Sequence, residues 1–131
     1  MGIQMSPNCE DGGIYCDILE FIENNFFTLD IIQDHVAPAA YYRDTYRKAR
    51  YEAYLKHSQY LPYINNEKNH TKMEQYKQRF SSLNAVQLIY FEEDDVVYPR
   101  ESEKFQELNS TKQLVPLTET RFWKEDWIGF R

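Results

Sequence analysis

Four consecutive acids, Glu92, Glu93, Asp94 and Asp95, follow an apolar run over residues 85–91. A run rich in Val, Ile and aromatics reads as a strand buried on both faces. In open α/β sheets, chemistry gathers in the loops at the carboxyl ends of such strands. A carboxylate there can accept a histidine Nδ1–H, fix the imidazole tautomer and stabilise the imidazolium of a nucleophilic triad. Asp94 and Asp95 are the candidates. Their plainer reading is as turn residues bonded to local backbone. The triad's other members do not follow. His35, His57 and His70 all precede the acids, and no Gly-x-Ser-x-Gly is present. A base that must come after the acid in the chain is therefore missing from these residues.

Other chemistry is excluded more simply. There is no His-x-x-x-His or Cys-x-x-Cys pair, and the acidic run lacks the alternation of a calcium loop. Without a Gly-rich phosphate loop either, no metal and no cofactor are expected. The net charge of −6 and the absence of a basic stripe argue against nucleic acid as a partner. No stretch approaches the length of a membrane span, so no stable membrane insertion is expected.

Length and patterning bound the fold. The 131 residues suit one domain, and an aromatic content of 16% can fill a core. No secretory leader is visible, yet Asn69-His70-Thr71 and Asn109-Ser110-Thr111 are glycosylation sequons. Cys9 and Cys16 are spaced to close a small loop around Gly12 and Gly13. A bridge there would contribute roughly 2.5 kcal/mol by loop entropy in an oxidising compartment. Two free thiols are the alternative. The secretory features fit a chain whose start lies outside these residues.

Periodicity predicts amphipathic helices over 15–25 and 28–36, the second ended by Pro38. Residues 41–57 are Tyr-rich and charged, which predicts short helical turns. Thr71 and Glu74 have capping-box spacing, predicting a helix from there to Phe80, with Ser81 and Ser82 ending it. After the strand at 85–91, a helix over 102–108 and a short strand over 114–117 are expected. One convincing strand needs neighbours, and a parallel sheet needs repeated β-α-β units. The inventory suits part of an α/β domain preceded by a helical insertion.

The motifs together resemble the palmitoyl-protein thioesterases of the lysosome. Gly2 to Cys9, then Cys9 and Cys16 followed by Asp17-Ile18-Leu19, resemble that family's small disulfide loop, one residue shorter here. Ala39-Ala40-Tyr41-Tyr42-Arg43-Asp44 is similar to its aromatic Tyr-Trp-His-Asp segment, with Tyr42 in place of Trp. His57-Ser58 and the stretch from Tyr60 to Glu67 look like its His-Ser segment ending in Ile-Asn-x-Glu. Residues 91–99 resemble the surroundings of its triad aspartate, which lies five residues before the proline and so selects Asp94 over Asp95. Leu117-Thr118-Glu119-Thr120 and Asp126-Trp127-Ile128-Gly129-Phe130 resemble two further segments.

The resemblance implies a partial α/β-hydrolase with a helical lid insertion, one central parallel strand and a following helix. Residues 1–84 would be the disulfide loop and the lid that forms the acyl groove. Residues 85–131 would be the part of the core carrying the acid. It also implies Asp94 as the triad acid, and Val96, Val97 and Tyr42 as acyl-chain contacts. Cys9 would be bridged to Cys16, and Asn69 and Asn109 glycosylated. S-palmitoylated proteins or fatty acyl thioesters would be the substrates, and the complete protein would be lysosomal or secreted. Without serine and histidine, residues 1–131 alone are expected to be inactive. Two other readings remain: a non-catalytic acyl-chain or protein-binding module, and a secreted pseudoenzyme.

Overall fold

Ala49, Ala53 and the straight-chain Arg50, Glu52, Leu55 and Lys56 favour a helix between Tyr46 and Ser58. In the computed structural model, which describes residues 41–94 and 97–131, they form one. Helix α1 spans Lys48–His57. It is a single helix of 10 residues where short turns were expected. Its inner side is aromatic and polar rather than aliphatic: Tyr54 is 2% exposed and stacks on Tyr51 with ring centroids 5.8 Å apart. The usual apolar period is therefore absent. Lys56 and His57 sit in the last turn, where cations complement the helix dipole.

A short helix α2, Leu61–Ile64, carries Pro62 in its first turn, where a missing N–H costs nothing. Helix α3, Met73–Ser81, ends at Ser82 as its serines predict. Its start differs from expectation: Lys72 is the N-cap and no side chain caps it. His70 takes the local donor instead, its Nδ1 accepting from the Lys72 N–H at 3.2 Å. Glu74 points along the helix and accepts from Gln78 Nε2.

Residues 85–91 form no ladder. Val86, Ile89 and Phe91 are exposed, and the segment carries neither helix nor strand. A strand exists only when flanking strands take its N–H and C=O groups. Among the described residues the sheet is a two-stranded antiparallel hairpin, β1 Glu107–Leu108 with β2 Leu114–Val115, and it lies elsewhere. The expected helix over 102–108 is instead a 3-10 turn, Arg100–Lys104. Phe105, left-handed at φ 60°, ends it. Its ring joins an aromatic cluster, 5.7 Å from Phe122 and 5.8 Å from Phe130.

That cluster is the apolar core. Phe122, 1% exposed, sits on α4 (Arg121–Lys124), which Thr120 caps by accepting from the Trp123 N–H. The chain then turns back across α3. Lys77 Nζ donates to the Asp126 carbonyl at 2.6 Å and pairs with its carboxylate at 2.9 Å. Gly129 closes the turn at φ 76°, and a Cβ there would stand 2.9 Å from Ser81 Cβ and 3.1 Å from the Lys77 carbonyl. Both the backbone conformation and the contact oppose a side chain. Gly129→Ala is expected to cost about 1–3 kcal/mol. Urea unfolding would read this as a lower midpoint at unchanged slope, and an unchanged midpoint would refute it.

Candidate functional site

Asp94 stands where the apolar segment breaks. Its Oδ1 accepts from the Val97 N–H at 2.9 Å, and its own N–H donates to the Phe91 carbonyl at 3.3 Å. These bonds tie Asp94 back to Phe91 and across to Val97. The 3-10 turn holds the loop from the other side. Arg100 donates to the Glu92 carbonyl, Glu103 accepts from the Phe91 N–H at 2.7 Å, and Lys104 Nζ lies 3.7 Å from the Tyr90 ring centre. Residues 90–94 line an open concavity beside this carboxylate.

A second polar centre lies inside the fold. Glu67, its side chain fully enclosed, accepts from Arg43 Nε at 2.9 and 3.0 Å on its two oxygens. Tyr51 Oη donates to it at 2.6 Å, Tyr54 Oη at 2.8 Å and Asn65 Nδ2 at 2.8 Å. Arg43, 3% exposed, also donates from Nη1 to Glu107 at 2.8 Å. Burial pushes the Glu67 carboxyl up, but Arg43 and the three neutral donors together hold it below its ordinary value. Burial and the Glu67 charge push both phenols well above the usual tyrosine range, keeping them protonated donors. Burial alone would lower Arg43, yet Glu67 and Glu107 hold it firmly charged. Sequence reasoning assigned Glu67 no role. Its partner Arg43 is 24 residues away, and no local pattern distinguishes a buried glutamate.

Beside this centre runs an apolar groove of about 540 Å³, within the ~300–1,000 Å³ of small-ligand sites. Ile64 and Asn65 form one wall, Tyr76, Arg79 and Phe80 of α3 a second, and Phe105 and Ile128 close it. Asn66 braces the walls, donating from Nδ2 to the Met73 carbonyl at 3.0 Å and the Trp127 carbonyl at 2.9 Å. His70 Nε2 meets Asn66 Oδ1 and the Tyr63 carbonyl, so Nε2 carries the proton while Nδ1 accepts.

Of the residues singled out from the sequence, Asp94 and Val97 are joined by a hydrogen bond. Tyr42 is buried, its hydroxyl donating to Asp44 and accepting from Arg47. It sits in the strap leading into α1 and does not line the groove. Asn69 is exposed, and Asn109 shapes the hairpin turn, its Oδ1 accepting from the Thr111 and Gln113 N–H groups. Cys9, Cys16, Val96 and Asp95 lie outside the described residues. So do the helices expected over 15–36. Among the described residues, no group of three potential metal ligands gathers. No described helix is long and apolar enough to cross a membrane.

Comparison with known families decides what this arrangement belongs to. The family model of palmitoyl protein thioesterase matches residues 1–131. The chain belongs to the palmitoyl-protein thioesterase family. Palmitoyl-protein thioesterase 1 of Caenorhabditis elegans is 30% identical over 99% of this chain and 43% of its own length. Palmitoyl-protein thioesterase 3 of Dictyostelium discoideum is 35% identical over 76% of this chain and 34% of its own. The lysosomal thioesterase PPT2 homolog of Drosophila melanogaster is 30% identical over 76% and 34%. The chain thus spans between about a third and two fifths of these three thioesterases.

Proposed function

We propose that residues 1–131 are the acid-bearing, acyl-binding part of a palmitoyl-protein thioesterase with the α/β-hydrolase fold. The complete enzyme hydrolyses long-chain acyl thioesters on protein cysteines, in a lysosomal or secreted setting. The observation that carries this reading is the family match along the whole chain, which spans the Asp94 turn. A serine attacks the thioester carbonyl, and a histidine takes its proton. Asp94 accepts the Nδ1–H of that histidine and stabilises the imidazolium. Serine and histidine come from polypeptide outside residues 1–131. The acyl-enzyme is then cleaved by water.

The groove between α2, α3 and Phe105 suits the acyl chain. Each methylene that leaves water for it contributes about 0.8 kcal/mol. Residues 85–91 supply the strand that carries Asp94, paired on both edges in the assembled sheet. This accounts for their apolar side chains on both faces and for their exposure here.

Hydrolysis of an S-palmitoyl peptide by the complete enzyme tests the reading. Turnover that collapses when Asp94 is replaced supports it. Turnover that persists in the Asp94 variant, or measurable turnover by residues 1–131 alone, overturns it.

A further inference from the structure

The polar centre and the groove share their anchor points. Asn65 lines the groove and donates to Glu67, two residues on. Phe105 lines the opposite side and lies two residues before Glu107. Glu67 and Glu107 are the two carboxylates that one guanidinium, Arg43, engages at once. We propose that Arg43 is a positioning residue that fixes the separation of these two groove walls, so that the groove is formed before ligand enters. This rests on the acyl-groove reading above and adds what sets its width.

The chemistry favours arginine for this task. A guanidinium is planar, with donors fixed in a fork, so two carboxylates bound to it are held at one mutual distance. A lysine ammonium offers a point charge on a flexible stem and imposes no such spacing. Burial matters as well, because exposed ion pairs are loosened by water and salt. Here the Arg43 and Glu67 side chains are 3% and 0% exposed, and Glu107 is 14% exposed. A parallel tie reinforces the clasp, with Thr45 Oγ1 donating to the Leu108 carbonyl at 3.1 Å. The other walls have separate fastenings: Lys77 to Asp126, and Asn66 to Met73 and Trp127. The Phe105 ring keeps its aromatic contacts with Phe122 and Phe130, so loosening the Arg43 clasp relaxes the spacing of the Phe105 wall from Asn65 without detaching it, and leaves α3 and the C-terminal turn joined. A wall that must be ordered during binding weakens affinity, since ordering costs free energy.

The test uses the complete enzyme, a palmitoyl thioester, and a short-chain acyl thioester as reference in every variant. Glu107→Gln strips the charge from one arm of the clasp, weakening it to a neutral-acceptor hydrogen bond, and leaves the Arg43–Glu67 pair in place. Expected is a rise in KM for the palmitoyl substrate of about tenfold relative to the short-chain one, with little change in kcat. Arg43→Lys should behave the same way, because it keeps the charge and loses the fork. A purely structural role would lower the unfolding midpoint and leave the ratio of the two KM values unmoved; that result overturns the proposal. Phe105→Ala separates the two readings. If it raises palmitoyl KM and Glu107→Gln does not, Arg43 has no positioning role, although the groove binds acyl chain. If Phe105→Ala moves nothing, the groove assignment fails and the proposal fails with it.

Discussion

Asp94→Asn in the complete enzyme is expected to lower kcat about 10⁴-fold with KM little changed. The amide is close in size, and its oxygen can still accept from the Val97 N–H, so that bond persists. On the proposed reading, what disappears is the negative charge that would fix the histidine tautomer and stabilise imidazolium as the serine proton is transferred. That interaction grows in the transition state, so its loss appears in kcat. Asp94→Glu keeps the charge but moves it outward by a methylene, and should retain more activity than Asp94→Asn. Steady-state kinetics with a palmitoyl thioester, on variants whose unfolding midpoints match the parent, measure this. A loss confined to KM would show Asp94 acting on binding instead.

Glu67→Ala carries the largest expected effect on stability, about 3–5 kcal/mol. The substitution leaves the buried Arg43 with Glu107 as its remaining carboxylate and strips Tyr51, Tyr54 and Asn65 of their shared acceptor. Unpaired buried donors and an under-compensated charge are far costlier than the pair was stabilising. The sign of the pH dependence follows from the direction of the shift. Glu67 is held below its ordinary 4.5 in the fold, so its contribution is complete above that value. It is lost as pH falls through the lower folded value. Denaturant unfolding at neutral pH and below pH 4.5 reads both effects. The parent should lose stability on acidification more steeply than Glu67→Ala. Equal slopes would mean that Glu67 is not held below its ordinary value in the fold.

The sequence made some of this legible, and the physics explains where it did not. Helix α3 was readable because Thr71 and Glu74 have capping-box spacing and Ser81 and Ser82 follow Phe80. The box does not form: the helix begins one residue later, with Lys72 as its N-cap, and Glu74 accepts from Gln78 instead. Helix α1 was obscured because its inner face carries tyrosines that bond a buried carboxylate, so apolar periodicity never appears. The 85–91 segment was expected as a strand buried on both faces and is instead exposed and without strand, because composition reports only what a residue prefers to touch. Composition does not report which strand lies alongside. The groove was invisible in the same way. Its walls come from residues 64 to 128, and only the fold brings them together.

The bare apolar segment has a consequence for handling this polypeptide. Residues 85–91 hold seven positions without charge or proline, rich in β-formers, and such short windows can template cross-β stacking between copies. Glu92, Glu93 and Asp94 directly follow and place like charges next to one another in any in-register stack. In that light the acidic run is also a guard against fibres. Replacing Glu92 and Glu93 by Gln should shorten the lag of thioflavin-positive assembly by residues 1–131. Ile89→Lys, which puts a charge inside the window, should lengthen it; a lag unmoved by either would place the sticky surface elsewhere.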